Sequence, residues 1–347
     1  MEIGVGLDPT LRLTAAEQAQ VVQEALRLGY VSAWTPAGAV SRDAFHVCAH
    51  WSAAGAQVTG EPGLRTGIAV VPVAHWTAPQ LAATAGTVGE RCGGRFVLGV
   101  GTGGAYSAAQ QQAYGLPAQP PLPLMRDYLT VLRRLLAGER VAYEGRTLSL
   151  RGVQLAFQPP RVPVYLGALG PRMVRLAGEA ADGVSLNWCT PEQVAWSRQR
   201  LEEGSRRAGR AATEVRVMEY IRVCVDDEEA VARRGLARAT LGYAMARPGG
   251  SKILGYRAHF TRMGFDAILN ELEARRDAGA SQDEVAEACP AELLSAVGYF
   301  GPPAGARAAL RRLSAGLDEA VVRVVPARPG VEAVLATLRA CRPPWDD

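Results

Sequence analysis

The chain has 347 residues but a single lysine, Lys252, and only four histidines, so arginine carries nearly all of its positive charge. Its 38 basic and 34 acidic residues leave a formal charge of +4 with no long basic run. Nucleic acid binding therefore finds no support in the charge pattern. Arginine can grip anions bidentately, but richness in Arg, Ala and Gly together is the mark of a GC-rich genome. The six cysteines, Cys48, Cys92, Cys189, Cys224, Cys289 and Cys341, form no C-x-x-C pair. That spacing argues against a structural zinc site and a thioredoxin-like motif. There is no G-x-S-x-G element of the α/β-hydrolases and no P-loop. No apolar stretch approaches the ~18 residues that span a membrane. No basic-then-apolar leader opens the chain, so the expectation is no signal peptide, reduced thiols and a cytoplasmic setting.

What is present is alternation. Short β-branched runs at 3–7, 30–35, 65–73, 95–100, 162–167, 183–187, 215–225 and 321–325 read as eight strands. Helical patterns separate them. Thr14 with Glu17 three residues on forms a capping box, and that helix stops at Gly29. A hairpin is expected over 141–150, and an irregular proline-rich loop over 113–123. Repeated strand–helix units imply a parallel sheet. Eight of them over this length fit a closed (β/α)₈ TIM barrel of the α/β class better than an open doubly wound sheet. The regular spacing breaks after Leu241. The expectation is one barrel domain over 1–347, with a helical insertion over 242–300, between strands seven and eight, lying over the barrel mouth.

Two glycine motifs end strands. Gly99, Gly101 and Gly104 match G-x-G-x-x-G literally. A dinucleotide site needs that loop to open into a helix, with an acid about 20 residues on. Here prolines follow, and the first acid downstream is Asp127, inside a helix. The other readings are glycines that let a cofactor approach bare backbone at the barrel's site face, or a plain tight turn. The second motif, Gly167-Ala168-Leu169-Gly170-Pro171, opens a helix with proline in its first turn. Free N–H groups and the helix dipole there suit a phosphate, although an ordinary turn has the same sequence.

Taken together, these segments resemble the luciferase-like monooxygenase superfamily. The nearest branch comprises oxidoreductases that use the deazaflavin coenzyme F420, such as methylenetetrahydromethanopterin reductase. The resemblance rests on Arg65–Pro72, Gly93–Gly103, Leu136–Glu139, Tyr143–Arg146, Pro163–Pro171 and Leu176–Gly183, in that order. It implies a barrel with an insertion, a soluble homodimer and coenzyme F420, with FMN as the alternative. It also implies a cofactor ring backed by strand three at Ile68, Ala69 and Val70, often at a non-proline cis peptide. Thr35, Gly101, Thr102 and Gly103 would line the ring or ribityl region. Ala168, Leu169, Gly170 and Pro171 would meet the phosphate end. The chain departs from related sugar-phosphate dehydrogenases. Their Asp-His pair falls near Ala37-Gly38 here, and their Glu after Gly-Thr-Gly falls at Gly104. Base-assisted oxidation of a sugar phosphate is therefore not expected. Reduction or oxygen chemistry remains, with the cofactor carrying the hydride.

Outside the cofactor frame, His46 and His50 are spaced i, i+4 but lack a third metal ligand, so no metal site is expected. His75, just past strand three, is the candidate proton donor. Asn187 and Trp188 end strand six, as pocket wall or substrate contact. Glu219 would be a buried acid with a raised pKa if it points inward. Tyr256 and His259, in the insertion, would either close over the substrate or lie on a helix surface. Three functions follow: an F420-dependent reductase acting on a small organic molecule, an FMN monooxygenase with a partner reductase, or a non-catalytic barrel that has lost its acid–base residues.

Overall fold

A computed structural model describes residues 1–103 and 107–345. Eleven strands form in chain order: β1 (Glu2–Gly6), β2 (Ser32–Thr35), β3 (Arg65–Pro72), β4 (Phe96–Gly101), β5 (Val141–Glu144), β6 (Ser149–Val153), β7 (Val164–Gly167), β8 (Gly183–Asn187), β9 (Arg216–Val225), β10 (Gly298–Gly301) and β11 (Glu319–Val324). Eight of them, β1, β2, β3, β4, β7, β8, β9 and β11, pair in parallel, and the β8–β9 pairing closes the ring. The barrel read from the alternation is therefore present. β5 and β6 make the expected antiparallel hairpin outside it. Asp127 ties that hairpin down: its carboxylate accepts from the Tyr143 hydroxyl and from the Thr147 N–H and hydroxyl. Part of the segment between β4 and that hairpin, Ala108–Tyr114, is helical and stops at Gly115 in the left-handed region.

The strands alternate between two apolar environments. Outward positions such as Val5, Ile68, Leu98, Leu166, Val217 and Ile221 join the surrounding helices in the main core. Inward positions are fewer and larger: Trp34, Tyr165, Met218, Tyr220 and Val321 form a separate cluster in the lumen. The glycines explain how such rings fit. A Cβ on Gly67 would stand 2.4 Å from the Trp34 ring, and one on Gly183 2.6 Å from the Tyr165 ring. The lumen is thus filled by rings packed onto bare backbone, in place of the branched side chains usual in barrels. Its floor, at the N-terminal strand ends, is a neutral ion cluster. Arg65 reaches both Glu2 and Glu319 at 2.6 Å, and Arg216 also reaches Glu2.

After β9 the chain is helical through Glu229–Ala244, Gly255–Arg262, Asp266–Asp277, Gln282–Ala288 and Ala291–Val297, with its own apolar cluster around Phe260, Leu269 and Leu293. A buried pair, Arg257 Nε to Glu273 Oε1 at 2.8 Å, joins two of these helices. The segment returns as β10, a strand not foreseen from the sequence, which pairs in parallel with Arg222–Val225 of β9.

Candidate active site

The irregularity expected in β3 is there. Its register against β4 shifts between Ile68 and Val71, and the Ala69–Val70 peptide is cis. The G-x-G motif is built around this bulge. A Cβ on Gly99 would lie 2.2 Å from the Ile68 carbonyl oxygen; one on Gly101 would lie 2.7 Å from a Val70 methyl. Gly167, at the end of β7, crowds the other Val70 methyl at 2.8 Å. The bare faces of these glycines are therefore taken up by β3, and the room they make belongs to the bulge. Val70 in turn accepts a 3.4 Å hydrogen bond from the Ala37 N–H, which ties the loop after buried Thr35 to the same point. Gly103 is left-handed and packs on Pro72, beside the half-buried Thr102. Gly104 lies outside the described residues.

The second glycine motif differs in kind. Ala168 is buried, and its N–H donates to Ser185. The Leu169 carbonyl accepts from Arg262 at 3.2 Å. Gly170 is the N-cap of helix Pro171–Ala180 and makes no side-chain cap bond; a Cβ there would meet nothing within 4 Å. Thr14, Thr77 and Thr190 cap their helices with their own side chains. The helix at Pro171 presents backbone N–H groups and its positive dipole end instead, a geometry suited to an anion.

The histidines divide. His75 is exposed at the end of a short turn after β3, edge-on to Tyr114, in a cleft of about 300 Å³ with Gly38, Arg42, Phe45 and Trp76. His46 bonds Asp43, and His50 bonds the Ala15 carbonyl. His259 is buried, contrary to a helix-surface role: its Nε2 donates to the Trp188 carbonyl at 2.8 Å, and burial pushes its pKa down to about 4.

Glu219 has the raised pKa anticipated for a buried acid, about 8, caused by desolvation. It does not point inward. It shares its strand face with Val217 and Ile221 in the helix-facing core, while Met218 and Tyr220 face the lumen. One of its oxygens accepts from the Cys189 N–H at 2.6 Å; the other has no partner among the described residues. Trp188 is fully buried and left-handed, with φ +58.

Sequence reading missed two arginines of the upper lumen. Arg222 of β9 and Arg323 of β11 face each other in register on the lumen side. Both are buried, at 3% and 4% exposure. Arg222 donates to Asn187 and to the Tyr220 carbonyl, and its guanidinium stands 4.1 Å from the Trp188 ring. Arg323 pairs with Asp8 and stacks 4.4 Å from the Tyr220 ring. The available signal was a charge inside an apolar strand run, near the C-terminal end where barrels keep their chemistry: Arg323 among valines, and Arg222 three residues after Glu219.

Comparisons with known proteins agree with this geometry. The family model for luciferase-like monooxygenase matches residues 2–319. A 5,10-methylenetetrahydromethanopterin reductase of Archaeoglobus fulgidus is 33% identical over 48% of this chain; the match spans half of that enzyme's length. A reductase of the same name from Methanolobus tindarius is 29% identical over 72% of each chain. Among solved structures, the coenzyme F420-dependent tetrahydromethanopterin reductase of Methanopyrus kandleri superposes with a TM-score of 0.79 at 21% identity, covering 98% of this chain and 97% of that one. No helix among the described residues is long and apolar enough to cross a membrane. The chain belongs to the luciferase-like monooxygenase family and, with it, to the oxidoreductases.

Proposed function

We propose that the protein uses reduced coenzyme F420 to transfer hydride to a small organic substrate. The observation that carries this reading is the pairing, at the C-terminal strand ends, of the Ile68–Val71 bulge with the open N-terminus of helix Pro171–Ala180. A flat ring with a phosphate-bearing tail fits that pair: the Gly170 position is clear, and the helix end attracts an anion. When bound, the deazaflavin supplies the hydride, and the protein supplies placement. Ile68, Ala69 and Val70 would back the ring. Thr35, Gly101, Thr102 and Gly103 would border it. The backbone of Ala168, Leu169, Gly170 and Pro171 would receive the phosphate. The segment 242–300 covers the mouth and excludes water, since Tyr256 and Arg262 bond groups at the ends of β8 and β7. His75, in the cleft with Ala37 and Pro72, would be the proton donor. We further read the protein as a cytoplasmic homodimer with six reduced thiols, supported by family resemblance and by six buried, unpaired cysteines.

Titration of the purified protein with F420 and with FMN tests the reading. F420 should bind at micromolar or better concentration and FMN weakly. The reverse preference would mean FMN chemistry with a partner reductase; binding of neither would sink both enzymatic readings. With F420 bound, His75→Ala should slow turnover by about 10²-fold, the scale of a lost general acid. Unchanged turnover would remove His75 from the mechanism.

A further inference from the structure

Two guanidinium groups side by side in a barrel lumen need an explanation. Like charges directly opposed on neighbouring strands are unfavourable, and a buried charge is costly unless paired. Arg222 and Arg323 occupy such positions in register on β9 and β11. Burial lowers both pKa values, Arg323 to about 9; a guanidinium keeps its proton in proteins, so both groups carry charge. Asp8 neutralises Arg323. Arg222 bonds and stacks only on neutral groups: the Asn187 amide oxygen, the Tyr220 carbonyl, and the rings of Trp188 and Tyr243. The acid that acts on it, Glu219, lies on the opposite face of β9, and with its pKa raised to about 8 it is mostly neutral at pH 7. The floor cluster below is already balanced, two acids against two arginines. One positive charge in the upper lumen is thus left over.

A second observation points the same way. Tyr220 lies between the two arginines, with its ring 5.8 Å from one and 4.4 Å from the other. It is 2% exposed, faces the lumen, and its hydroxyl has no partner among the described residues. A buried hydroxyl without a partner is unfavourable unless something arrives to accept from it. An anion meets both needs.

We propose that the upper lumen receives an anionic group of the substrate, a carboxylate or phosphate, held by Arg222 and the Tyr220 hydroxyl. This rests on the oxidoreductase reading and narrows its substrate to a charged organic acid or phosphate ester. The group enters past Tyr256, whose hydroxyl bonds Asn187 beside Arg222, and past the half-exposed Tyr243.

The test uses the full-length protein without cofactor, titrated with inorganic phosphate and with succinate while tryptophan fluorescence is followed. Trp188 stacks on Arg222 and reports the site. Succinamide is the neutral control. The expected result is saturable binding of at least one anion and none of the amide. Tyr220→Phe should bind that anion about tenfold more weakly, the scale of one charge-assisted hydrogen bond. Its melting temperature should be unchanged or higher, because it loses only an unpartnered hydroxyl. Arg222→Met should abolish binding, and Arg222→Lys should retain part of it. F420 affinity is measured separately on the same variants. Anion binding without F420 binding would overturn the cofactor reading alone. No anion binding to the wild type, equal binding by Tyr220→Phe, or a loss confined to F420 affinity would overturn the proposal.

Discussion

At the residue scale, the Trp188–Cys189 peptide is held from both sides. Its carbonyl accepts from His259 and its N–H donates to Glu219. Both holders are buried and titratable, with opposite consequences. Glu219 rises from 4.5 to about 8, so between those values the folded chain keeps a proton the unfolded chain has lost. Stability then falls as pH rises. His259 drops from 6.5 to about 4, so between those values the unfolded chain holds the extra proton and stability rises with pH. The two slopes oppose each other below pH 6.5. From there to pH 8 only the Glu219 slope remains, at most about 1.4 kcal/mol per pH unit. Urea unfolding across that interval should show stability falling with pH in the wild type and nearly flat in Glu219→Gln. A wild-type profile as flat as the variant's would place the Glu219 pKa near its ordinary value.

At the element scale, the bulge in β3 and the glycines of β4 are one feature. Gly99→Ala would drive a methyl group into the Ile68 carbonyl, a backbone atom that cannot move aside cheaply. Overpacking of this kind costs about 1–3 kcal/mol, and a value near the upper end is expected from chemical denaturation, together with loss of cofactor affinity. A variant as stable as wild type would show that β3 can yield. The same element shows what the sequence could convey. Strand periods and helix caps are local, so the barrel was legible from β1 to β11. So was the unadorned helix start at Gly170, because proline and glycine act on their own backbone. What the glycines of β4 face was not legible, since Ile68 and Val70 come from another strand. Nor was the inward or outward sense of Glu219: parity needs one anchored neighbour, and Tyr220 supplies it only once the barrel is closed. Arg222 and Arg323 lie 101 positions apart in sequence, and only the β9–β11 register makes them neighbours.

At the scale of the whole molecule, the polar contacts that fasten the helices after β9 to the barrel include Tyr256 with Asn187, Arg262 with Leu169 and His259 with Trp188, and of these three side chains His259 is the most buried. His259→Ala removes that bond and leaves a cavity, together about 2–4 kcal/mol. The loss should fall on the docking of helix Gly255–Arg262. Hydrogen exchange is then expected to quicken in that helix and its neighbours while β1–β4 keep their protection; uniform quickening would mean the segment and barrel unfold as one. The return strand sets a limit on such loosening. β9 pairs with β8 through Tyr220 and with β10 from Arg222 onward, while β11 occupies its other edge throughout Met218–Val223. β10 therefore takes up the edge that β8 vacates and raises the barrel wall by four residues. The cover proposed for the mouth is thus spliced into the masonry at its downstream end, along a jamb that begins at Arg222.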